Sequence, residues 1–394
     1  MENVKNGAKL SAIIGIAFVY MTTFFGGGWA TGSQGNIYAA SHGWAGIFMP
    51  LVGLALIMVV TWITVEYCRL FNVWNYGDFM EKLYGTKVIK FIFDIIQVTC
   101  LPISFAVSVA TFSSAMQGVL GGAYLMWVVI FCAIVLFSVI WGTAFVNKLA
   151  AYMGTAILLL LLVICVTFTA NGGGETVGEI VANRTMFTSY GEAFKWGGLK
   201  LWMITGGLVL SILPSFEPVK TRSDVTKTCL FSFLFCGAFL LIVSYNVMCF
   251  APESFAETVP VLYGIQKIGA DWLQAVYILV VDLAVITTAN AMCNGYGRRF
   301  MSWGFVKKIE AKDSTKIIVI SLIILVLSSA VGLLGLTTII AKAFSYMGIL
   351  NSPLVAYGIP IFGIAKLVQI KRRGYSLERG SLANEGSYCM FKKQ

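Results

Sequence analysis

The sequence predicts an all-α polytopic membrane protein of about ten spans, and three observations lead there. Apolar runs about 20 residues long, enough to cross about 30 Å of hydrocarbon, recur along the whole chain. Of its 394 residues 58% are hydrophobic and only 12% charged, with a mean hydropathy of +0.83. The basic residues sit in short clusters between the apolar runs. Helices follow because backbone groups in lipid must be paired within their own segment, whereas a β-barrel would show weak alternation over about ten residues.

The runs place spans at 11–39, 45–68, 88–118, 124–142, 147–170, 197–219, 226–250, 271–295, 316–334 and 343–367. The first lacks a small-residue cleavage signal and reads as a retained span. Short gaps make spans three and four, and nine and ten, antiparallel neighbours. With this count, Lys5, Lys9, Arg69, Lys82, Lys87, Lys90, Lys148, Lys220, Arg222 and Lys227 share one side. Arg298, Arg299, Lys307, Lys308, Lys312, Lys316, Lys366, Lys371, Arg372 and Arg373 join them, while Arg184, Lys195, Lys200, Lys267 and Lys342 lie opposite. The positive-inside rule then makes the chain a multi-pass plasma-membrane protein with both termini cytoplasmic. This also accounts for the net charge of +10 without a nucleic-acid partner.

Span one is interrupted at Phe25-Gly26-Gly27-Gly28-Trp29-Ala30-Thr31-Gly32. Glycine in a helix costs about 1 kcal/mol relative to alanine, and three together suit unwound backbone lining a cavity. Close helix packing is the competing reading. Span six carries a matching interruption, Thr205-Gly206-Gly207, followed by Pro214 and Pro218. The two breaks open the halves of a 5+5 inverted repeat: residues 1–170, an extracellular loop 171–196, residues 197–370, and a cytoplasmic tail 371–394. Paired breaks of this kind point to a transporter site at the membrane midplane. The segments 77–85 and 260–268 each fit a short amphipathic helix, one per membrane face.

The segment Gly26-Gly27-Gly28-Trp29-Ala30-Thr31-Gly32-Ser33-Gln34 resembles a glycine-rich stretch of YkvI-like membrane proteins, as do Lys90-Phe91-Ile92-Phe93-Asp94 and Thr287-Thr288-Ala289-Asn290. That group is similar to the amino acid–polyamine–organocation superfamily with the LeuT-type fold. The resemblance implies a solute held between spans one, three, six and eight.

The half-helix expected to begin near Trp29 offers free amides and a positive dipole end to an anion such as a carboxylate. Gly26, Gly27 and Gly28 would let the ligand touch backbone, with Thr205, Gly206 and Gly207 as the facing wall. Trp29, Trp202, Phe105 and Ser108 are pocket or gate candidates, with plain packing as the alternative. Ala284, Thr287 and Thr288 share one helical face. By the resemblance they form a sodium site, completed by carbonyls at Thr22 and Phe25; the competing reading is threonine bonding its own helix. Asp282 lies mid-span, where a carboxylate serves a proton, a substrate amine or a polar neighbour. Glu217 is a gating candidate toward Lys220 or Arg222, or a plain interfacial carboxylate. Asp94 snorkels or caps, and His42 reads as solvated.

No catalytic, nucleotide-binding or cofactor motif occurs, so no enzyme is expected. The nine cysteines read as small buried hydrophobes. A secondary transporter for a small amino-acid-like solute, coupled to sodium, is the expected function. A proton-coupled transporter or exchanger for an amino acid, amine or nucleobase-like solute stands as the alternative. A membrane sensor without transport is the alternative of another class, though no segment is long enough for an output domain.

Overall fold

The computed structural model describes residues 7–301, 306 and 308–383, with the side chains of 141–151, 295, 296, 298 and 299 outside that description. Lys5, Lys307, Cys389 and the end of the tail therefore lie outside the described residues, as do the side chains of Lys148, Arg298 and Arg299. Every regular element among the described residues is helical. Among the described residues seven helices are long and apolar enough to cross a membrane. The other three spans are those with interrupted or shorter helices.

Span one is α1 (Leu10–Phe24), α2 (Gly27–Ala30) and α3 (Ser33–Tyr38). Span two is α4 (Trp44–Phe71), which ends on Asn72 in left-handed geometry. The amphipathic helix α5 (Tyr76–Tyr84) is started by the Asn75 side chain accepting the Asp78 amide and stopped by Gly85 at φ 76°. Span three is α6 (Lys87–Leu120). Spans four and five are α7 (Tyr124–Phe137) and α8 (Thr143–Phe168). They are joined through a π-turn at Ser138–Gly142, where the sequence pattern suggested a plain connection.

The connection after span five is structured as well, into α9 (Gly174–Ala182) and α10 (Tyr190–Ala193). Span six is α11 (Leu201–Thr205) and α12 (Leu208–Ser211), followed by a 3-10 turn at Leu213–Phe216. Beyond it come α13 (Arg222–Met248), the short α14 (Pro260–Lys267), α15 (Asp271–Met301) and α16 (Asp313–Gly332). Span ten is longer than its apolar run: α17 (Leu336–Thr338), α18 (Phe344–Asn351) and α19 (Gly358–Arg372) form one helical course with π-turns between them. Pro353 has no amide to donate to the Ile349 carbonyl, which accepts the Ser352 hydroxyl at 3.2 Å instead. Just beyond, the Tyr357 amide reaches the Ser352 carbonyl at 2.9 Å, a five-residue step.

Long-range contacts put both termini on one face. The Ala8 amide donates to Asp224 Oδ2 at 2.9 Å, and Asp224 also closes a capping box with Thr221 at the start of α13. Nearby, Arg69 and Glu66 form a buried bidentate pair, Nε to Oε2 at 2.9 Å and Nη2 to Oε1 at 2.8 Å. Arg69 further donates to the Lys220 carbonyl at 3.4 Å and the Leu377 carbonyl at 3.0 Å. The tail answers with the Gly380 and Leu382 amides on the Arg69 and Leu70 carbonyls. Lys82 reaches the Ala383 carbonyl at 2.9 Å, and the buried Lys366 reaches that of Lys82 at 2.9 Å. The segment after span ten is therefore docked through residue 383. On the opposite face, α14 is tied to span one by the Val261 amide on the Thr31 carbonyl at 3.2 Å, so the two amphipathic helices occupy opposite faces.

His42 corrects its expected place in solvent. It is 4% exposed, with Nδ1 2.7 Å from the Thr188 hydroxyl and Nε2 3.2 Å from the Ile37 carbonyl. These partners favour the neutral ring with the proton on Nε2, and burial pushes its pKa below the ordinary 6.5.

Two outcomes follow from these buried groups. Arg69→Met leaves Glu66 buried and unpaired and lowers stability by about 3–5 kcal/mol, while Glu66→Leu/Arg69→Met loses less than the two single changes summed. Thermal unfolding in detergent reads both. Because the folded pKa of His42 is depressed, its part of the stability is full at pH 7.5 and falls as pH drops below about 6.5. His42→Gln flattens that portion of the pH profile.

Candidate functional site

Span one leaves helical geometry at two residues. Phe25 (φ −100°, ψ 89°) and Gly26 (φ −87°, ψ −170°) are extended, and the helix resumes at Gly27. The break thus sits earlier than the three glycines suggested, and Gly27 and Gly28 are helical. Their lack of a side chain serves contact. A Cβ on Gly27 would overlap Val285 of α15 and lie 3.2 Å from Thr111 Cγ2 of α6. One on Gly28 would lie 3.0 Å from Gln34 Cδ. Gly26, by contrast, has open space where a Cβ would go. Close packing therefore describes Gly27 and Gly28, and of the three only Gly26 has room for a side chain. No side chain caps α2, so the Gly27 and Gly28 amides point out of its first turn without intrahelical partners. A second interruption follows at Gly32, φ 82°.

Span six breaks more gently. Gly206 (φ −57°, ψ −24°) and Gly207 (φ −85°, ψ −1°) stay right-handed but stop the α-ladder between Thr205 and Leu208. The Thr205 hydroxyl donates to the Leu201 carbonyl at 2.6 Å. Trp202 packs edge-on to Tyr357 at 5.2 Å, and its buried Nε1 has no partner among the described residues.

The span-six break opens on a cavity of about 520 Å³ whose walls include Gly207 and Ser211, Thr23 of α1, Phe93 and Gln97 of α6, and Thr288 of α15. It runs from the span-six break toward α5, with Tyr76 on its wall. Toward the other face stands a run of rings. Phe25 stacks on Phe239 at 3.8 Å, Trp29 meets Phe25 at 5.2 Å, and Tyr38 lies 6.0 Å from Trp29 and 6.2 Å from Trp196. Trp29 is thus part of a buried seal and does not line the cavity.

The span-three candidates separate by helical angle. Phe93, Gln97, Ser104, Ser108 and Thr111 recur along one stripe of α6, whereas Phe105 is turned about 100° from Ser104. Phe105 accordingly packs with Phe131, Trp127 and Ile324 on the other side of the helix, and Ser108 is buried on the stripe. Two residues of this stripe were missed. Gln97 lines the cavity and donates to Asn351 Oδ1 at 3.0 Å. Thr111 is fully buried beside Gly27, and its hydroxyl has no partner among the described residues. The spacing of small polar residues along α6 was the available signal.

On α15 the hydroxyls of Thr287 and Thr288 both donate to the Ala284 carbonyl, at 2.9 and 2.8 Å. The common face is formed, and each threonine makes the local bond open to any helical threonine. Thr288 reaches the cavity, while Thr287 is buried. From span one, Thr23 faces the cavity; the Thr22 side chain packs on Gly154 of α8 and donates to the Val19 carbonyl at 3.1 Å. Asp282 is buried, with one carboxylate oxygen lacking a partner among the described residues, and lies about 120° around the helix from Thr288. Glu217 is exposed. Among the described residues it forms no ion pair with Lys220 or Arg222; Arg222 lies over the Trp62 ring at 4.9 Å. Asp94 accepts from the Tyr76 hydroxyl at 3.3 Å, joining α5 to α6.

Neither the family models nor the curated proteins contain a match for this chain. Solved structures do match. An inward-facing conformation of Mhp1 superposes with TM-score 0.64 at 14% identity, over 93% of this chain and 79% of that one. The chain has the LeuT-type fold. A substrate-bound, outward-open Na+-coupled sialic acid symporter gives 0.62 at 10% identity, over 96% and 89%. MhsT in complex with L-phenylalanine gives 0.56 at 14%, over 89% and 90%. Mhp1 in a closed conformation gives 0.55 at 14% identity, over 96% and 83%, lower than its inward-facing form. At these identities the likeness establishes the fold alone.

The two glycines of the break separate under substitution. Gly27→Ala forces Val285 or Thr111 aside and costs about 1–3 kcal/mol of stability by overpacking. Gly26→Ala leaves the unfolding temperature within about 2 °C of wild type, since its Cβ meets nothing.

Proposed function

We propose that this protein is a secondary active symporter that moves a small amino-acid-like solute across the plasma membrane, coupled to sodium. The observation that carries this reading is a span-six break that opens on a cavity shared with Thr23 of span one and Thr288 of α15, together with a span-one break whose α2 amides are uncapped. A solute carboxylate suits the Gly27 and Gly28 amides, because a helix start presents unpaired N–H groups. Gly26 leaves room for the ligand against bare backbone, and the Thr111 hydroxyl and Gln97 amide supply polar contacts on the span-three side. Gly206 and Gly207 form the facing wall, with Thr205 and Trp202 above it and Ser108 further along the span-three stripe.

Sodium is a hard cation that takes oxygen ligands. Its ligands are the Ala284 carbonyl, the hydroxyls of Thr287 and Thr288 once turned from that carbonyl, and the carbonyls of Thr22 and Phe25. A cavity extending to the terminal face, together with rings packed toward the other, supports an inward-facing state. The higher similarity to inward-facing than to closed Mhp1 supports it too. Both termini are cytoplasmic in this reading, and the halves 1–170 and 197–370 are the inverted repeats, separated by the loop 171–196. Coupling through a proton on Asp282, in symport or exchange, is the second reading, favoured by that residue's unpartnered carboxylate oxygen.

Uptake by reconstituted protein, tested on a panel of amino acids, amines and nucleobases, is expected to rise with an inward sodium gradient. Thr288→Ala lowers the apparent sodium affinity about tenfold, the scale of one hydrogen bond or ligand contact to a charge. An unchanged sodium response removes the site, and stimulation by a proton gradient alone selects the second reading. Thr111→Val keeps the shape and the fold while weakening solute binding about threefold to tenfold.

A further inference from the structure

Away from the central cavity, a second cleft opens on the lipid-facing side. It measures about 260 Å³, and its walls are apolar throughout: Val98, Leu101 and Pro102 of α6, Phe300 at the end of α15, and Ile320 and Leu327 among the α16 residues. Two helical stripes border it. On α6, Phe91, Ile95, Val98 and Pro102 follow each other at three- and four-residue steps, with Phe91 65% and Ile95 51% exposed. On α16, Ile320, Ile323 and Leu327 repeat the same step, with Ile323 54% and Leu327 52% exposed. Faces this apolar on membrane-spanning helices meet hydrocarbon.

One helical turn before Ile320, on the same stripe, stands Lys316. It lies at the start of α16, next to the exposed Lys308 and Lys312. The connection carries more positive charge than this. Arg298, Arg299, Lys307, Lys308, Lys312 and Lys316 face only Glu310 and Asp313 between positions 298 and 316. The α15–α16 connection lies on the same face as the Lys220–Asp224 segment, because two spans, α13 and α15, separate them. An apolar cleft of this depth with lysines at its membrane-surface end has the polarity of one amphiphile: hydrocarbon inside, anionic head outside.

We propose that this cleft is a binding site for an anionic phospholipid of the leaflet on the terminal side. One acyl chain lies between α6 and α16, and the head-group phosphate lies among Lys308, Lys312 and Lys316. The lipid rests on α15, whose inner half also supplies Thr288 to the central cavity, so its occupancy steadies the helix that carries the hydroxyl face.

The test is native mass spectrometry of the full chain in detergent, with phosphatidylglycerol and phosphatidylcholine added in equal amounts. Each lysine near an anionic head group contributes about fivefold, so wild type retains phosphatidylglycerol at least about fivefold over phosphatidylcholine. Lys312→Glu/Lys316→Glu, surface changes outside the core, bring that ratio to about one. Ile320→Trp fills the cleft and lowers retention of both lipids. Equal retention of the two lipids by wild type overturns the site, and so does a preference that survives the double lysine change. If Ile320→Trp fails to fold, the lysine variant alone decides.

Discussion

In hydrocarbon no water stands ready to pair a stray amide or carbonyl, and every feature of this molecule answers to that constraint. Eight of the spans satisfy it by running as helix. Spans one and six do not, and the structure makes their interruptions tolerable by enclosing them. Gly27 allows Val285 and Thr111 to approach the broken segment closely, and Gly32 sits against Val247 and Val261. Phe25, at the break, is correspondingly buried by protein. In the proposed function a binding site and a structural defect are the same object: what would destabilise a lipid-facing helix is what leaves amides open to a solute.

The same accounting of polar groups governs the terminal face. Glu66 and Arg69 are a buried ion pair, an arrangement that is costly unless its remaining donors are engaged. Arg69 engages them on the Lys220 and Leu377 carbonyls, and by doing so joins span two, the connection after span six and the C-terminal segment. Asp224 plays the matching part for the N-terminal segment, accepting amides from Ala8, Lys220 and Thr221. These anchors define one end of the bundle toward which the central cavity extends.

Much of the architecture was legible in the chain. The apolar runs marked the spans, because lipid demands a minimum length; the glycine clusters marked both breaks, because glycine is a poor helix former. The threonine face of α15 followed from helical periodicity. What failed failed for a common cause. Phe105 is one residue from the stripe that faces span one, and a helix turns about 100° per residue, so an aromatic chosen for its size pointed away from the site. His42 is a polar residue in a connection between two spans, and the partner that accompanies its burial, Thr188, lies far along the chain. Span ten outran its apolar stretch because its ends are packed on protein.

Local rules therefore determined from the sequence alone that the chain is helical, where it crosses the membrane and where two crossings come apart. Hydropathy, glycine content and helical spacing are properties of neighbouring residues. Tertiary structure alone decided which glycine meets a neighbour and which meets open space, that both threonines bond the Ala284 carbonyl, and that Thr111 stands beside the break. It also decided that the C-terminal segment closes over Arg69. Each of these depends on groups brought together from distant parts of the chain, and nothing in the local pattern specifies which atoms will be opposite one another once the helices pack.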